Sequence, residues 1–156
     1  MRRSAELEMI NNGESENCVE PELSGEHNLG PIVHPSVQVI SQHKCMKFQN
    51  FKVNCTDEKN RCLTIDGKIV IDALNFVKTS DGDTHVVGKV FEIKGDVFNS
   101  PCRSSKLGIV VLGKPEEAMS SWNIDQISAK MMKLPYDRDF AAFPILHTLD
   151  KSVFRN

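Results

Sequence analysis

The sequence predicts an all-β domain: a small, partly open β-barrel with one or two short helices and a disordered N-terminal arm. Three observations predict it. Short runs rich in β-branched residues recur at intervals of roughly ten to twenty residues from Lys44 onward. Asp-Gly turns at Asp66-Gly67 and Asp81-Gly82 separate them. Only two windows suit a helix, Pro115–Met119 and Trp122–Ile127, and each is a turn or so long.

Residues 1–43 contain no Phe, Trp or Tyr, and seven glutamates there face two arginines. Such a segment buries too little apolar area to offset the entropy of ordering it, so 1–43 is predicted to be a disordered acidic arm. Its more apolar end, Ile32–Ile40, can dock on the body as an extended piece, with Pro35 keeping it off a central strand. The domain proper is assigned to 44–156. Strands are predicted around Phe51–Cys55, Arg61–Ile65, Lys68–Val77, Thr84–Ile93, Leu107–Leu112, Ile127–Leu134 and Phe143–Leu149. Gly88 inside the fourth of these predicts a bulge or sharp bend. The predicted core is Val53, Ile69, Ile71, Leu74, Val87, Val90, Ile93, Ile109, Val111, Ile127, Leu134 and Ile145.

The net charge of −2 hides an acidic arm on a mildly basic body. Removing the arm is expected to strengthen polyanion binding at low salt, because exposed charges act over a Debye length of about 10 Å. No apolar run approaches the roughly 20 residues of a membrane-spanning helix, and the first residues lack the apolar stretch of a signal peptide. The five cysteines, Cys18, Cys45, Cys55, Cys62 and Cys102, include no Cys-x-x-Cys pair. They read as reduced thiols of an intracellular protein, nuclear or cytoplasmic.

Candidate chemistry is sparse. His43, Cys45, Cys55 and Cys62 offer zinc-ligating atoms, but their spacing lacks the close pairs that zinc knuckles use, so no metal is assigned. Cys102 lies between Pro101 and Arg103, near Lys106, where cations favour a thiolate; a base, His85 or His147, would have to come from elsewhere in the chain. Glycine-rich phosphate loops are absent and no cofactor is expected. Lys89, Lys94, Arg103, Lys106 and Lys114 suggest a basic face for nucleic acid. Trp122, Tyr136 and Phe140, with Asp137 and Asp139, suggest an aromatic pocket with negative charge, suited to a cationic side chain of a protein partner. The run Leu134–Phe140 reads as a loop, where recognition residues concentrate.

Asp66–Ile71, His85–Ile93, Ile109–Leu112 and Ile124–Met132 together resemble the bromo-adjacent-homology domain. The resemblance implies a β-rich barrel serving as a chromatin reader and protein-interaction module. The chain is also similar to domains of uncharacterised, transposon-derived animal proteins. The functional expectation is a non-catalytic binding module for protein partners, in chromatin or another nuclear assembly. A nucleic-acid-binding barrel is the alternative, and a cysteine-dependent enzyme is a distant third. No membrane partner is expected.

Overall fold

The computed structural model describes residues 20–33 and 38–148. Nine strands carry the fold: β1 (Glu22–His27), β2 (Val39–Lys47), β3 (Lys52–Asn54), β4 (Cys62–Ile65), β5 (Ile69–Thr79), β6 (Thr84–Asp96), β7 (Val110–Asn123), β8 (Ile127–Tyr136) and β9 (Asp139–Pro144). Among the described residues the only helical pieces are single 3-10 turns, so the class is all-β as predicted. Six strands, in the order β5-β4-β8-β9-β7-β6, form a ring that the β5–β6 pairing closes. The far half of β5 also pairs with β2, which carries β1 and β3.

The Asp66-Gly67 hairpin forms where expected. Both residues have positive φ, 52° and 66°, and the Lys68 N–H donates to the Ile65 carbonyl at 3.0 Å. That pair of dihedrals is the turn whose twist matches the flanking strands. In the resulting register Leu63 lies opposite Ile71 on one side, and Cys62 and Thr64 lie opposite Asp72 and Val70 on the other. Each side faces its own core. Met46, Val53, Leu63, Ile65, Ile71 and Phe76 fill the first. Cys62, Val70, Phe91, Leu112, Met131 and Ala142 fill the second, within the ring. A wall buried on both faces explains why β5 reads as a nearly continuous apolar run.

The bulge expected in the Gly88 strand falls instead on its partner: the register shifts between Ala73 and Asn75, which makes Leu74 of β5 the extra residue, opposite Gly88 and Val87. A Cβ on Gly88 would lie 2.4 Å from the Asp72 carbonyl oxygen, so only glycine lets the strands approach this closely. Next to it, the Arg61 guanidinium grips the Asp72 carboxylate from Nε at 2.6 Å and Nη2 at 3.1 Å. Arg61 also donates to the Cys55 carbonyl at 3.2 Å, tying the β3–β4 connection to β5.

The domain starts earlier than residue 44. β1 and the first half of β2 lie in the segment that composition assigned to the arm, and a polar network anchors them. Asn75 is fully buried. Its side-chain amide donates to the Pro31 carbonyl at 2.9 Å and to Gln42 Oε1 at 3.0 Å, and its oxygen accepts from His27 Nε2 at 2.9 Å. The Leu29 N–H donates to His27 Nδ1, which fixes the neutral Nε2–H tautomer. Composition misses such an anchor because it is polar and its partners are far apart in sequence. The expected disorder of residues 1–19 lies outside the described residues, as does Cys18.

Other expectations change. Pro115–Met119 is exposed strand within β7, paired to β6 across irregular register, and not helix. Trp122–Ile127 gives one 3-10 turn, capped by Asn123 and Gln126. Of the predicted core, Val53, Ile71, Val87, Val111 and Ile127 are buried, while Ile69, Leu74, Val90, Ile109 and Ile145 are half-buried. Ile93 and Leu134 are 43% and 46% exposed.

Candidate partner-binding surface

β8 and β9 form a hairpin closed by Asp137 and Arg138, with Asp137 at φ 55° and Tyr136 opposite Asp139. A two-residue turn makes Tyr136–Asp139 a hydrogen-bonded pair, so the main-chain groups of Tyr136, Leu134 and Met132 point at β9. Those of Pro135 and Lys133 point away from β9. Beyond Lys130, that second edge of β8 has no strand partner among the described residues. Pro135 supplies no N–H there, which blunts the edge against pairing with another strand.

Side chains alternate across the same hairpin. Met132, Leu134 and Tyr136 occupy three successive outward positions and are 46%, 46% and 42% exposed. Phe143, Ala141 and Asp139 lie directly opposite them on β9. Lys94 forms an ion pair with Asp139 at 3.2 Å. Its stem crosses Gly113, where a Cβ would stand 3.0 Å from Lys94 Cε. The outward surface is thus an apolar strip along β8, bordered by a tyrosine hydroxyl and one ion pair.

The inward positions carry a different group. Phe140 and Phe91 flank Lys133, whose Nζ lies 4.9 Å from each ring centroid. An ammonium over an aromatic face is attracted by the ring quadrupole. The two-ring cation site of this protein is therefore built around its own lysine. Sequence reasoning missed Phe91 and Lys133 as partners of Phe140; the signal is the shared face of Lys133 on β8 and Phe140 on β9, with Phe91 reaching them from β6, visible only once the register is known.

The five residues proposed for an aromatic pocket do not converge. Tyr136 and Phe140 project to opposite faces of the hairpin, because Pro135, not Tyr136, lies opposite Phe140. Trp122 pairs with Val86 near the far end of β7 and packs against the first core. Asp137 sits exposed in the turn, and Asp139 is engaged by Lys94. The segment read as a loop is strand on both sides of that turn.

The five cations proposed for nucleic acid are likewise divided. Lys89 lies opposite Asp72 on the side of the second core, whereas Lys94 lies on the outer side with Asp139. Arg103 caps the 3-10 turn after β6, Lys106 lies within it, and Lys114 stands exposed on β7. No single basic face assembles from the five.

Among the zinc candidates, Cys55 belongs to the first core and Cys62 to the second, on opposite sides of β4. Burial pushes both thiols up to about 12; Cys45 reinforces this for Cys55, whereas Lys133 works against it for Cys62. Neither is a nucleophile near neutral pH. Cys102 is a half-buried free thiol.

Residues 26–145 match the family model of a domain of unknown function, DUF8592. The chain belongs to that family. The DUF8592 match begins inside β1 and ends just after β9, so the region it covers contains the whole ring with β2 and β3. No curated protein and no solved structure matches the chain significantly.

Proposed function

We propose that this DUF8592 domain is a non-catalytic protein-binding module whose contact surface is the outer face of the β8–β9 hairpin. One observation carries the reading: Met132, Leu134 and Tyr136 stand exposed at consecutive outward positions of a strand that the fold holds rigid from β9. Contiguous exposed apolar side chains with a polar border mark interaction surfaces. The blunted edge favours contact through side chains over strand addition. A standard interface takes about 800 Å² from each partner, more than three side chains present, so the surface suits a transient contact. The partner class is chromatin or another nuclear assembly, as the bromo-adjacent-homology resemblance implies.

The test is binding of the domain to nucleosomes and to histone octamers at two salt concentrations, for wild type and for the Leu134→Ser/Tyr136→Ser double variant. Binding of both targets, weakly salt-dependent and lost in the folded double variant, supports the reading. Absence of binding, or binding that survives both substitutions, overturns it. Binding of nucleosomes alone that falls steeply with salt and depends on Lys106 and Lys114 is phosphate recognition, which also overturns it.

A further inference from the structure

A cavity of about 430 Å³ lies between β3, β8 at Lys130 and the turn after β9. That volume is within the range of small-ligand pockets, about 300–1,000 Å³. Its charged and titratable lining residues are Lys52, Lys130 and His147, all nitrogen bases, and among the described residues no carboxylate lines it. Asn54, Phe51 and Ile145 complete the part that bears on recognition.

Lys130 is the fixed point. Its N–H donates to Thr148 Oγ1 and its carbonyl accepts from the Ile145 N–H, both at 2.9 Å, so the backbone is held on the side of β9. Its ammonium donates to the Lys52 carbonyl at 2.8 Å and to Asn60 Oδ1 at 2.9 Å. Both acceptors are neutral dipoles, and no carboxylate lies within ion-pair distance among the described residues. An ammonium has three donors, so one remains. Burial lowers the pKa of this lysine, and Asp57 acts in the opposite direction. The charge is thus partly desolvated and not neutralised by contact. Asn54 Oδ1 accepts from the Thr56 N–H at 3.0 Å and from its hydroxyl at 2.6 Å, which leaves the Asn54 amide group as a further donor. Phe51, stacked on Phe48 with centroids 4.5 Å apart, provides a rigid apolar wall.

We propose that this cavity is a binding site for a small oxyanion ligand, a phosphate or carboxylate group, held by the Lys130 ammonium with Lys52, His147 and the Asn54 amide. Charge-assisted hydrogen bonds from a preheld ammonium to an oxyanion are among the stronger polar contacts, and the anion offsets a charge the fold has half-buried. An arrangement serving only to brace β3 against β8 would need the two neutral acceptors and no basic surroundings.

The experiment is a ¹H–¹⁵N spectral titration of the whole chain with sodium phosphate, sodium acetate and sodium chloride at matched ionic strength. Expected are saturable shifts of the amides near Lys52, Asn60, Lys130 and His147 with phosphate or acetate, and none with chloride; the tighter of the two identifies the oxyanion. Lys130→Met should weaken that binding roughly ten- to a hundredfold. Should that variant fail to fold, Lys52→Met serves instead, since only the main chain of Lys52 braces Lys130, and it should weaken binding several-fold. Lys114→Met, on exposed β7, should change nothing. Linear shifts, shifts equal to those with chloride, or an isotherm unchanged by both Lys130→Met and Lys52→Met overturn the proposal.

Discussion

Gly88→Ala tests whether the close approach of β5 and β6 holds the fold together. The added Cβ would stand 2.4 Å from the Asp72 carbonyl oxygen, 3.2 Å from its carbon and 3.4 Å from Ala73 Cα. Reaching even a tight 3.0 Å contact requires the strands to part by about 0.6 Å. The obstacle is main chain, not a flexible side-chain tip. β5 is also poorly free to recede, because the Ala73 N–H donates to the Arg61 carbonyl at 2.8 Å while Arg61 holds the Asp72 carboxylate. Overpacking of this kind costs about 1–3 kcal/mol, and the backbone clash places it at the upper end. At about 4 °C per kcal/mol for a domain of this size, the melting temperature should fall by roughly 12 °C. Gly82→Ala is the comparison, since its Cβ meets nothing within 4 Å and only its φ of +89° resists. It should cost about 1 kcal/mol. Urea unfolding of both variants gives the two values. A Gly88→Ala loss no larger than that of Gly82→Ala would refute the packing argument.

Leu134→Ser with Tyr136→Ser should change unfolding free energy by no more than about 1 kcal/mol, whereas Leu63→Ala, wholly buried, should cost about 2–5 kcal/mol in the same urea assay. Native Cys55 and Cys62, pushed up to about 12 chiefly by burial, should resist iodoacetamide at pH 8 while the half-buried Cys45 and Cys102 react, as peptide mass spectrometry reports. The Cys55 and Cys62 thiols ionise more readily in the unfolded chain, near their ordinary value of about 9, so urea stability should decline as pH rises from about 9 toward 12. The Asp96 carboxyl is held below its ordinary value by hydrogen bonds from Ser105 first and then Ser104. Its contribution is complete above the unfolded value of about 3.9 and disappears as pH falls through the lower folded value. Protection factors in the 97–109 segment, taken relative to the intrinsic exchange rate at each pH, should therefore fall on acidification through that window, and Asp96→Asn should flatten the dependence.

The features read correctly from sequence are those whose cause is local. Asp66-Gly67 demands positive φ at two successive residues and therefore a hairpin, whatever surrounds it. Gly88 marks an irregularity, although the extra residue falls on the partner strand at Leu74. What failed depended on distant partners. Residues 22–33 look unstructured because their anchors are Asn75 and Gln42, polar residues that hydropathy counts against a core. Pro115–Met119 carries the acidic start of a helix, yet pairing with β6 decides its conformation. Tertiary pairing outweighs a propensity worth only tenths of a kcal/mol per residue.

The candidate site shows the same division more sharply. Tyr136, Asp137, Asp139 and Phe140 crowd together in sequence, and a loop would let them gather on one side. A two-residue turn instead fixes strict alternation, which sends Tyr136 outward and Phe140 toward Lys133. The same alternation accounts for the strip. Leu63 lies opposite Lys130 on the side of β8 that faces the first core, and Met132, Leu134 and Tyr136 continue that side past the end of β4. Ile127 is buried there, while Leu134 is 46% exposed. Past Lys130, whose ammonium is drawn to the Lys52 carbonyl and Asn60, that face stays apolar where it becomes bare. A surface strand with no further role would be expected to change its outward residues at that point, and β8 keeps methionine, leucine and tyrosine. That persistence supports assigning the second half of β8 to a partner and directs mutagenesis to Leu134 and Tyr136 before the residues that composition alone had gathered.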